Sequence, residues 1–376
     1  MTLHMTGEHK KISIFMSFSG DGGVERMMIN LMKGFIDNHY AIDLVLAKAR
    51  GSYIDMIPAG VNIIKTGTSH TYTSMLALMA YCRKSRPDVL LVAKHRAGLV
   101  AAMVRRLTGV PGRLVLRLGT TLSAAMVGKN RMQRWLWYKT MRTFYPQMDK
   151  IIAVSQGVAD DIADITGIPA DQIEVIHNPV VTPDLASQAR QPVTHPWFKP
   201  GSPGVIMGIG RLTRQKDFPT LLRAFAKVRQ HLSCRLMILG EGHEREHCKS
   251  LAGELGIAEH VELPGFVTNP YAYLSKACLF VLSSRWEGSP NALTEAMALG
   301  IPVVATDCQS GPREILQNGR IGRLVPVGNA EDLAEAMLET IRHPQLPDKL
   351  QSAVSSYTIE ASTLRYLQAM GIKSVG

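Results

Sequence analysis

Two carboxylates and two cations in the second half of the chain have the types and spacing for chemistry on a phosphorylated ligand. Glu287 and Glu295 lie in the stretch 283–298, SSRWEGSPNALTEAMA, with seven residues between them. The apolar run Leu279-Phe280-Val281-Leu282 precedes it, and a helix-like pattern leads out of it to Gly300. That order predicts a strand, a tight polar loop and a helix start. Glu287 then stands at the strand's carboxyl end, and Glu295, eight positions on, falls about two turns along. A helix beginning near Asn291 offers unpaired backbone N–H groups and a positive dipole end to phosphate. Carboxylates on both sides of an anion site suit a ligand with hydroxyls flanking a diphosphate, which is the shape of a nucleotide-sugar. Taken alone, a glutamate after a strand and another on a helix are more often solvated surface residues.

The cations follow an earlier strand. Val205-Ile206-Met207 leads into Gly208-Ile209-Gly210-Arg211-Leu212, then Thr213, Arg214, Gln215 and Lys216, with a helix starting near Asp217-Phe218-Pro219. Glycines let the backbone turn sharply and approach a ligand. Arg211 as a fork and Lys216 as a point charge can neutralise a diphosphate. A further glycine loop, residues 19–25 with Gly22 and Gly23, joins the first strand to the first helix; by itself a plain tight turn explains it as well as a phosphate or acceptor contact does.

These segments, with Gly22-Gly23-Val24-Glu25-Arg26, Gly240-Glu241-Gly242, Pro264-Gly265-Phe266, Val303-Val304-Ala305-Thr306-Asp307-Cys308, Gly311-Pro312-Arg313-Glu314-Ile315 and Gly322-Arg323-Leu324-Val325, occur in one order. In that order the chain resembles the retaining nucleotide-sugar glycosyltransferases of family four, the group 1 type that builds bacterial surface glycans. The likeness is strong in the C-terminal half and looser before it. It implies an α/β chain of the GT-B fold, two Rossmann-like domains with parallel sheets facing across a cleft. It also implies a hexosyl- or N-acetylhexosaminyltransferase working from a nucleotide-sugar, UDP-linked in the commoner case, onto a glycan or lipid-linked acceptor.

Carried onto this sequence, the resemblance assigns catalysis to Arg211, Lys216 and Glu287. The two cations would stabilise the leaving nucleotide electrostatically, and Glu287 would grip hydroxyls of the sugar. Glu295 would hold the ribose. Gly210, Gly288, Ser289, Pro290, Asn291 and Ala292 would line the sugar and phosphates, and Phe266 and Val267 would border the base. Gly22 and Gly23 would face the cleft. No metal and no cofactor are implied, and no Asp-x-Asp sequence occurs in the chain. One departure stands out. Many relatives carry a histidine before a Thr-Leu-Ser-like segment, and here the stretch is Arg117-Leu118-Gly119-Thr120-Thr121-Leu122-Ser123, with Gly119 at the histidine position. His95 and Arg117 are the substitutes the sequence offers, although a lone His95 reads more simply as a loop residue and an arginine cannot act as a base. His177 reads as structural.

The remaining pattern is that of elements able to carry such a site. Strand-like runs at 11–15, 42–46, 61–64, 89–92, 114–116, 151–154 and 175–176 alternate with helical patterns, and so do runs at 205–207, 236–239, 261–263, 279–282, 303–305 and 323–325. Alternation of this kind predicts parallel sheets with crossover helices. The expected division is 1–181, a linker at 182–204 rich in Pro, Ser, Gln and Gly, a second domain at 205–355, and a last segment, 356–376, crossing back to the first domain. Hydrophobic residues make up 46% and charged ones 19% of 376, a globular balance. No run approaches the ~20 apolar residues of a membrane span, and the polar start lacks a signal peptide's apolar core. Five scattered cysteines read as reduced thiols of a cytoplasmic protein.

Charge is concentrated. Residues 83–142 hold fourteen Lys and Arg against the single acid Asp88, a local balance above the +11 of the whole chain. Within it, 129–145 (KNRMQRWLWYKTMRTFY) allows an amphipathic helix. An anionic membrane surface, with a peripheral seat on the inner face of the cytoplasmic membrane, is one reading; packing of the aromatics into the core with a solvated basic face is another. Nucleic acid is disfavoured, since no nucleic-acid module accompanies the segment. Two other functions share the motifs, a nucleotide-sugar 2-epimerase and a non-catalytic nucleotide-sugar-binding protein; donor hydrolysis separates the transferase from both.

Overall fold

The computed structural model describes residues 11–19, 22–68, 70–110 and 112–372. The chain divides into two compact units: residues up to Pro179 together with those from Ile359 form the first, and Val180–Thr358 form the second.

The first unit carries seven strands, β1 (Ile12–Ser19), β2 (Ile42–Arg50), β3 (Val61–Lys65), β4 (Val89–Ala93), β5 (Arg113–Leu118), β6 (Lys150–Ala153) and β7 (Ile173–Val175). Every pairing is parallel, in the order β3-β2-β1-β4-β5-β6-β7. Parallel strands need crossovers, here α1 (Gly23–Asp37), α2 (Met75–Ser85), α3 (His95–Thr108), α4 (Arg131–Phe144) and α5 (Gln156–Thr166). Apolar side chains on alternate strand positions build a core on one face: Leu114, Leu116 and Leu118 of β5 meet Val100 and Val104 of α3 and Ile162 of α5.

The second unit repeats the plan. Strands β8 (Gly204–Ile209), β9 (Cys234–Leu239), β10 (Val261–Gly265), β11 (Leu279–Leu282), β12 (Val303–Thr306) and β13 (Arg323–Val325) pair in parallel in the order β10-β9-β8-β11-β12-β13. Helices α6 (Leu185–Ala189), α7 (Phe218–His231), α8 (Arg245–Glu254), α9 (Pro270–Leu274), α10 (Asn291–Ala298), α11 (Pro312–Ile315), α12 (Ala330–Arg342) and α13 (Pro347–Ala353) accompany them. Both faces of the sheet are covered: Ile206, Leu236, Ile238, Val281 and Val304 meet α7 and α12, while Met207, Met237, Phe280 and Ala305 meet α10 and α13.

The expected linker at 182–204 is not a free connector. Leu185 and Ala189 pack on Tyr271, Trp197 and Phe198 pack against the core beneath them, and β8 begins at Gly204. Its Pro- and Gln-rich composition hid a few well-placed apolar residues. The final helix, α14 (Ile359–Ala369), belongs to the first unit, where its Thr363 meets Gly34 of α1.

A buried polar knot fixes the start of the first sheet. Asp43 accepts from Tyr81 Oη at 2.6 Å and Asn62 Nδ2 at 2.8 Å and pairs with Lys11 Nζ at 2.6 Å. Burial pushes the Asp43 carboxyl up, but these hydrogen bonds and the Lys11 charge together outweigh it, and it titrates below its ordinary value. Stability from this group is therefore present above the unfolded carboxylate's range and is lost as pH falls through the lower folded value. Asp43→Asn should cost about 1–3 kcal/mol at neutral pH. Urea titrations at pH 7 and near pH 3 should show the gap between wild type and variant shrinking in acid; a constant gap would contradict the assignment.

Candidate functional site

In an open parallel sheet the strand order reverses at one point, and the loops leaving the strands' carboxyl ends there diverge to leave a crevice. In the second unit that point lies between β8 and β11. The loop after β8 carries Gly210, Arg211 and Lys216; the loop after β11 carries Glu287 to Pro290 and opens α10 at Asn291. Seventy-one residues apart in sequence, Lys216 Nζ and Glu287 Oε1 meet at 2.6 Å. The Glu287 side chain is 7% exposed and also accepts from Ser284 Oγ at 2.6 Å. A carboxylate this deep requires such partners, because an unpaired buried charge costs several kcal/mol.

The pair is held by its loops rather than by its own attraction. Arg285 N–H donates to the Gln215 carbonyl at 2.8 Å, Gln215 Nε2 to the Trp286 carbonyl at 3.0 Å, and Ser283 Oγ to the Lys216 carbonyl at 2.8 Å. Arg285 Nε lies 3.1 Å from buried Asp217, a residue in the left-handed region at φ 48°. From the other side Thr306 Oγ1 donates to the Ser284 carbonyl at 2.6 Å and Ser310 Oγ to the Gly288 carbonyl at 3.1 Å. Cys308 Sγ also reaches the Ser284 carbonyl, at 3.0 Å; burial pushes its thiol up to about 12, so it stays protonated. The sequence did not mark these second-rank contacts, and the small polar residues Ser283, Ser284, Thr306 and Ser310 were the only signal.

Glycines bring the neighbouring loops close. A Cβ at Gly240, whose φ is 137°, would overlap the Gly210 carbonyl oxygen. One at Gly311, φ 83°, would lie 2.7 Å from the Gly288 oxygen. The Gly210 N–H donates to the Leu239 carbonyl and the Gly240 N–H to the Gly265 carbonyl, so the loops after β8, β9 and β10 are stacked by backbone bonds.

Of the residues singled out in sequence, Arg211 is exposed, Lys216 half-buried, and Glu287, Gly288 and Pro290 buried. Ser289, Asn291, Ala292, Phe266 and Val267 are half-buried at the same strand ends. Glu295 lies in the second turn of α10 at 1% exposure, with the Tyr271 hydroxyl 3.4 Å from its Oε1. The structure therefore brings together the 210–216 and 287–292 groups, and sets Glu295 deeper than a surface carboxylate. Gly22 and Gly23 belong to the first unit, at the N-terminus of α1; Gly20 and Asp21 of that loop lie outside the described residues.

The first unit has its own reversal, between β1 and β4, and again a lysine–glutamate pair occupies it. Lys94 Nζ is 2.8 Å from Glu25 Oε1, and the Glu25 side chain is 4% exposed. Lys94 adopts φ 79°, a conformation that costs a non-glycine residue of order 1–3 kcal/mol. The sequence reading of His95 as a loop residue is corrected: it is the first residue of α3, buried, with Nδ1 2.8 Å from Tyr145 Oη and its ring 4.5 Å from that of Trp137. Burial, with Arg96 adding to it, pushes this imidazole down to about 4, so it is neutral at physiological pH.

The basic segment forms α4, with one side packed on the core and the other exposed. Trp137, Tyr138 and Phe144 pack on the core, and Tyr145 is buried. Residues 131–136 are all exposed, with Met132 at 71%, Trp135 at 55% and Leu136 at 56%, next to Val127 at 68%. Lys129, Arg131, Arg134, Lys139 and Arg142 flank them. Among the described residues no helix is long and apolar enough to cross a membrane.

Comparison with known proteins gives two family matches. A model described as glycosyl transferases group 1 matches residues 193–357, and one described as glycosyltransferase family 4 matches residues 21–183. The chain is 28% identical over 353 residues to the Campylobacter jejuni N-acetylgalactosamine-N,N'-diacetylbacillosaminyl-diphospho-undecaprenol 4-alpha-N-acetylgalactosaminyltransferase, covering 92% of each. It is 26% identical to the Rhizobium meliloti lipopolysaccharide core biosynthesis glycosyltransferase LpsE, over 95% of this chain and 98% of that one. Among solved structures, Anabaena HepE in complex with UDP and glucose matches with a TM-score of 0.79 at 20% identity, over 96% of this chain and 100% of that one. The apo lipopolysaccharide outer core galactosyltransferase WaaB matches at 0.71 and 21% identity, over 96% and 99%. At these identities the structures share the fold, that of GT-B proteins.

Gly240→Ala should lower unfolding stability by at least about 2 kcal/mol, since neither its φ nor the Gly210 carbonyl tolerates a methyl group. Gly253→Ala, in α8 with open space around it, should instead gain about 0.5–1 kcal/mol. Denaturant titrations of the two variants check this; equal effects would contradict the stacked-loop geometry.

Proposed function

The chain belongs to the group 1 glycosyltransferases with a family 4 N-terminal half, and from that premise we propose the reaction it performs. It transfers a hexose or N-acetylhexosamine from a UDP-sugar to a glycan or lipid-linked acceptor of bacterial surface polysaccharide, with retention at the anomeric carbon and without metal or cofactor. The relatives' names support the acceptor class: one acts on a diphospho-undecaprenol-linked sugar and another builds a lipopolysaccharide core. The structural neighbour holding UDP and glucose supports the donor class.

The observation that carries the reading is the Lys216–Glu287 pair at the β8/β11 reversal, beside the start of α10. In this arrangement Arg211, exposed and unconstrained by burial, and Lys216 meet the diphosphate. As the sugar–phosphate bond breaks, negative charge builds on the leaving UDP, and the two cations with the α10 amides stabilise it. Glu287 keeps Lys216 in place and turns its remaining acceptor capacity to sugar hydroxyls. Glu295, buried behind the first turn of α10, accepts from the ribose. The backbone of 288–292 lines the sugar and phosphates, Phe266 and Val267 border the base, and Gly22 and Gly23 serve from the first unit.

The α4 surface gives the enzyme a seat on an anionic membrane, on the cytoplasmic side. Exposed Val127, Met132, Trp135 and Leu136 reach the headgroup boundary while the flanking cations meet lipid phosphates. A solvated core-packing helix has no need of so many exposed apolar residues.

Arg211→Ala and Lys216→Ala should each slow transfer by about 2–4 kcal/mol of barrier in steady-state kinetics. Glu295→Ala should mainly weaken UDP-sugar binding in calorimetry. Unchanged turnover in folded Arg211 and Lys216 variants would overturn the assignment.

Replacing Lys129, Arg131, Arg134 and Lys139 with Gln should reduce sedimentation with phosphatidylglycerol vesicles at low salt, and wild-type binding should fall as salt rises. Trp135→Ser with Leu136→Ser should remove what binding survives at high salt. Vesicle binding equal to wild type in both sets would return α4 to a purely structural role.

A further inference from the structure

Gly119, at the position where the resemblance implies a histidine, is crowded by its neighbour. Arg117, at the carboxyl end of β5, is 2% exposed and is the largest fully buried side chain of the described residues. Leu114, Leu116 and Leu118 of the same strand face the core with α3 and α5, so Arg117 faces the other side. A Cβ at Gly119 would overlap Arg117 Nη1. The guanidinium therefore occupies the volume that a side chain at 119 would need, and a side chain there has to displace it.

A permanently charged group so deep must be compensated, and its partners lie at functionally placed points. Nη2 donates to Asn178 Oδ1 at 2.7 Å. The Tyr366 hydroxyl of α14 and the Glu25 carboxylate of α1 lie within its electrostatic reach. Asn178 immediately precedes Pro179, where the chain leaves the first unit, and α14 is the segment that returns to it. Both are further tied: Asn30 Nδ2 donates to the Pro179 carbonyl at 2.9 Å, and Ser362 Oγ to the His177 carbonyl at 2.9 Å. The Arg117 carbonyl also accepts the N–H of Lys94 at 3.2 Å, whose ammonium pairs with Glu25.

We propose that Arg117, paired with Gly119, is a positioning residue for transfer. Its buried guanidinium ties the end of β5 to Asn178, where the chain leaves the first unit, with Tyr366 of the returning α14 and Glu25 of α1 within its electrostatic reach, while its carbonyl holds the N–H of Lys94. It is not among the groups we assign to the donor, of which Arg211, Lys216, Glu287 and Glu295 lie in the second unit. It acts on turnover rather than on donor affinity. The role rests on the transferase reading above.

The test is a double-substitution cycle with the full chain, measuring UDP release and calorimetric Kd for UDP on folded protein, with the UDP-sugar that the wild type consumes fastest. Arg117→Met should lower kcat 10- to 100-fold while the Kd for UDP stays within about twofold, and Arg117→Lys should recover part of the loss. Gly119→Ala, which leaves the arginine in the sequence but displaces its guanidinium, should also lower kcat, and Arg117→Met/Gly119→Ala should be no worse than Arg117→Met alone. Wild-type kcat in Arg117→Met, or multiplicative losses in the double variant, would overturn the positioning role while leaving the transferase reading intact. A merely structural role would appear as lost stability with normal kcat per folded molecule. Should Arg117→Met not fold, Arg117→Lys and Gly119→Ala decide by the same kcat-against-Kd split. A wild type that consumes no UDP-sugar would contradict the transferase reading and the positioning role with it.

Discussion

Each unit of this protein buries a glutamate where its strand order reverses, and each meets the cost with one lysine. In the second unit Glu287 takes Lys216 at 2.6 Å; in the first, Glu25 takes Lys94 at 2.8 Å. Coulomb attraction inside a protein is large only where water is excluded, and the same exclusion makes an unpaired charge expensive. The surrounding loops are built to that constraint. The bond from the Arg285 N–H to the Gln215 carbonyl, the Ser283 hydroxyl on the Lys216 carbonyl, Thr306 and Ser310 donating into the Ser284 and Gly288 carbonyls, and the close glycines at 240 and 311 all keep the Lys216–Glu287 pair where strand ends alone would leave two mobile side chains.

A pre-paired lysine is a sound starting point for work on a diphosphate. Its position is set before the ligand arrives, so little side-chain entropy is lost on binding, and an incoming anion competes with one carboxylate for an ammonium already in place. Arg211 is exposed and, among the described residues, no carboxylate is seen to pair with it, so the site has one fixed and one adaptable cation.

Much of this was legible in the sequence. Alternating apolar runs gave the two parallel sheets because a strand buried on both faces has to be continuously apolar, and the loops after them could be placed because glycines and charges cluster where the apolar runs stop. The reach of β1 and β2 past the predicted runs, to Ser19 and Arg50, was not legible: Ser17, Lys48 and Arg50 break the apolar pattern around the buried Phe18, and the strands continue there by pairing across a register shift. The packed segment 182–204 was missed because its contacts with Tyr271 and the core are long-range. His95 was misjudged in setting, and Arg117 was noted with no setting assigned. Nothing local shows that His95 lies under Trp137, or that Arg117 fills the space above Gly119. The exposed half of α4 could be guessed from its mixed aromatic and basic composition, but which aromatics turn outward depended on where α3 and α5 leave room.

The central claim is that the loops after β8 and β11 form a diphosphate site centred on Lys216 and Glu287. A crystal structure of the protein with bound UDP tests it most directly. The account predicts the β-phosphate at the first turn of α10, within hydrogen-bonding distance of Lys216 Nζ and Arg211, with the ribose toward Glu295. UDP seated elsewhere, with the Lys216–Glu287 pair undisturbed and Arg211 remote from phosphate, would contradict it.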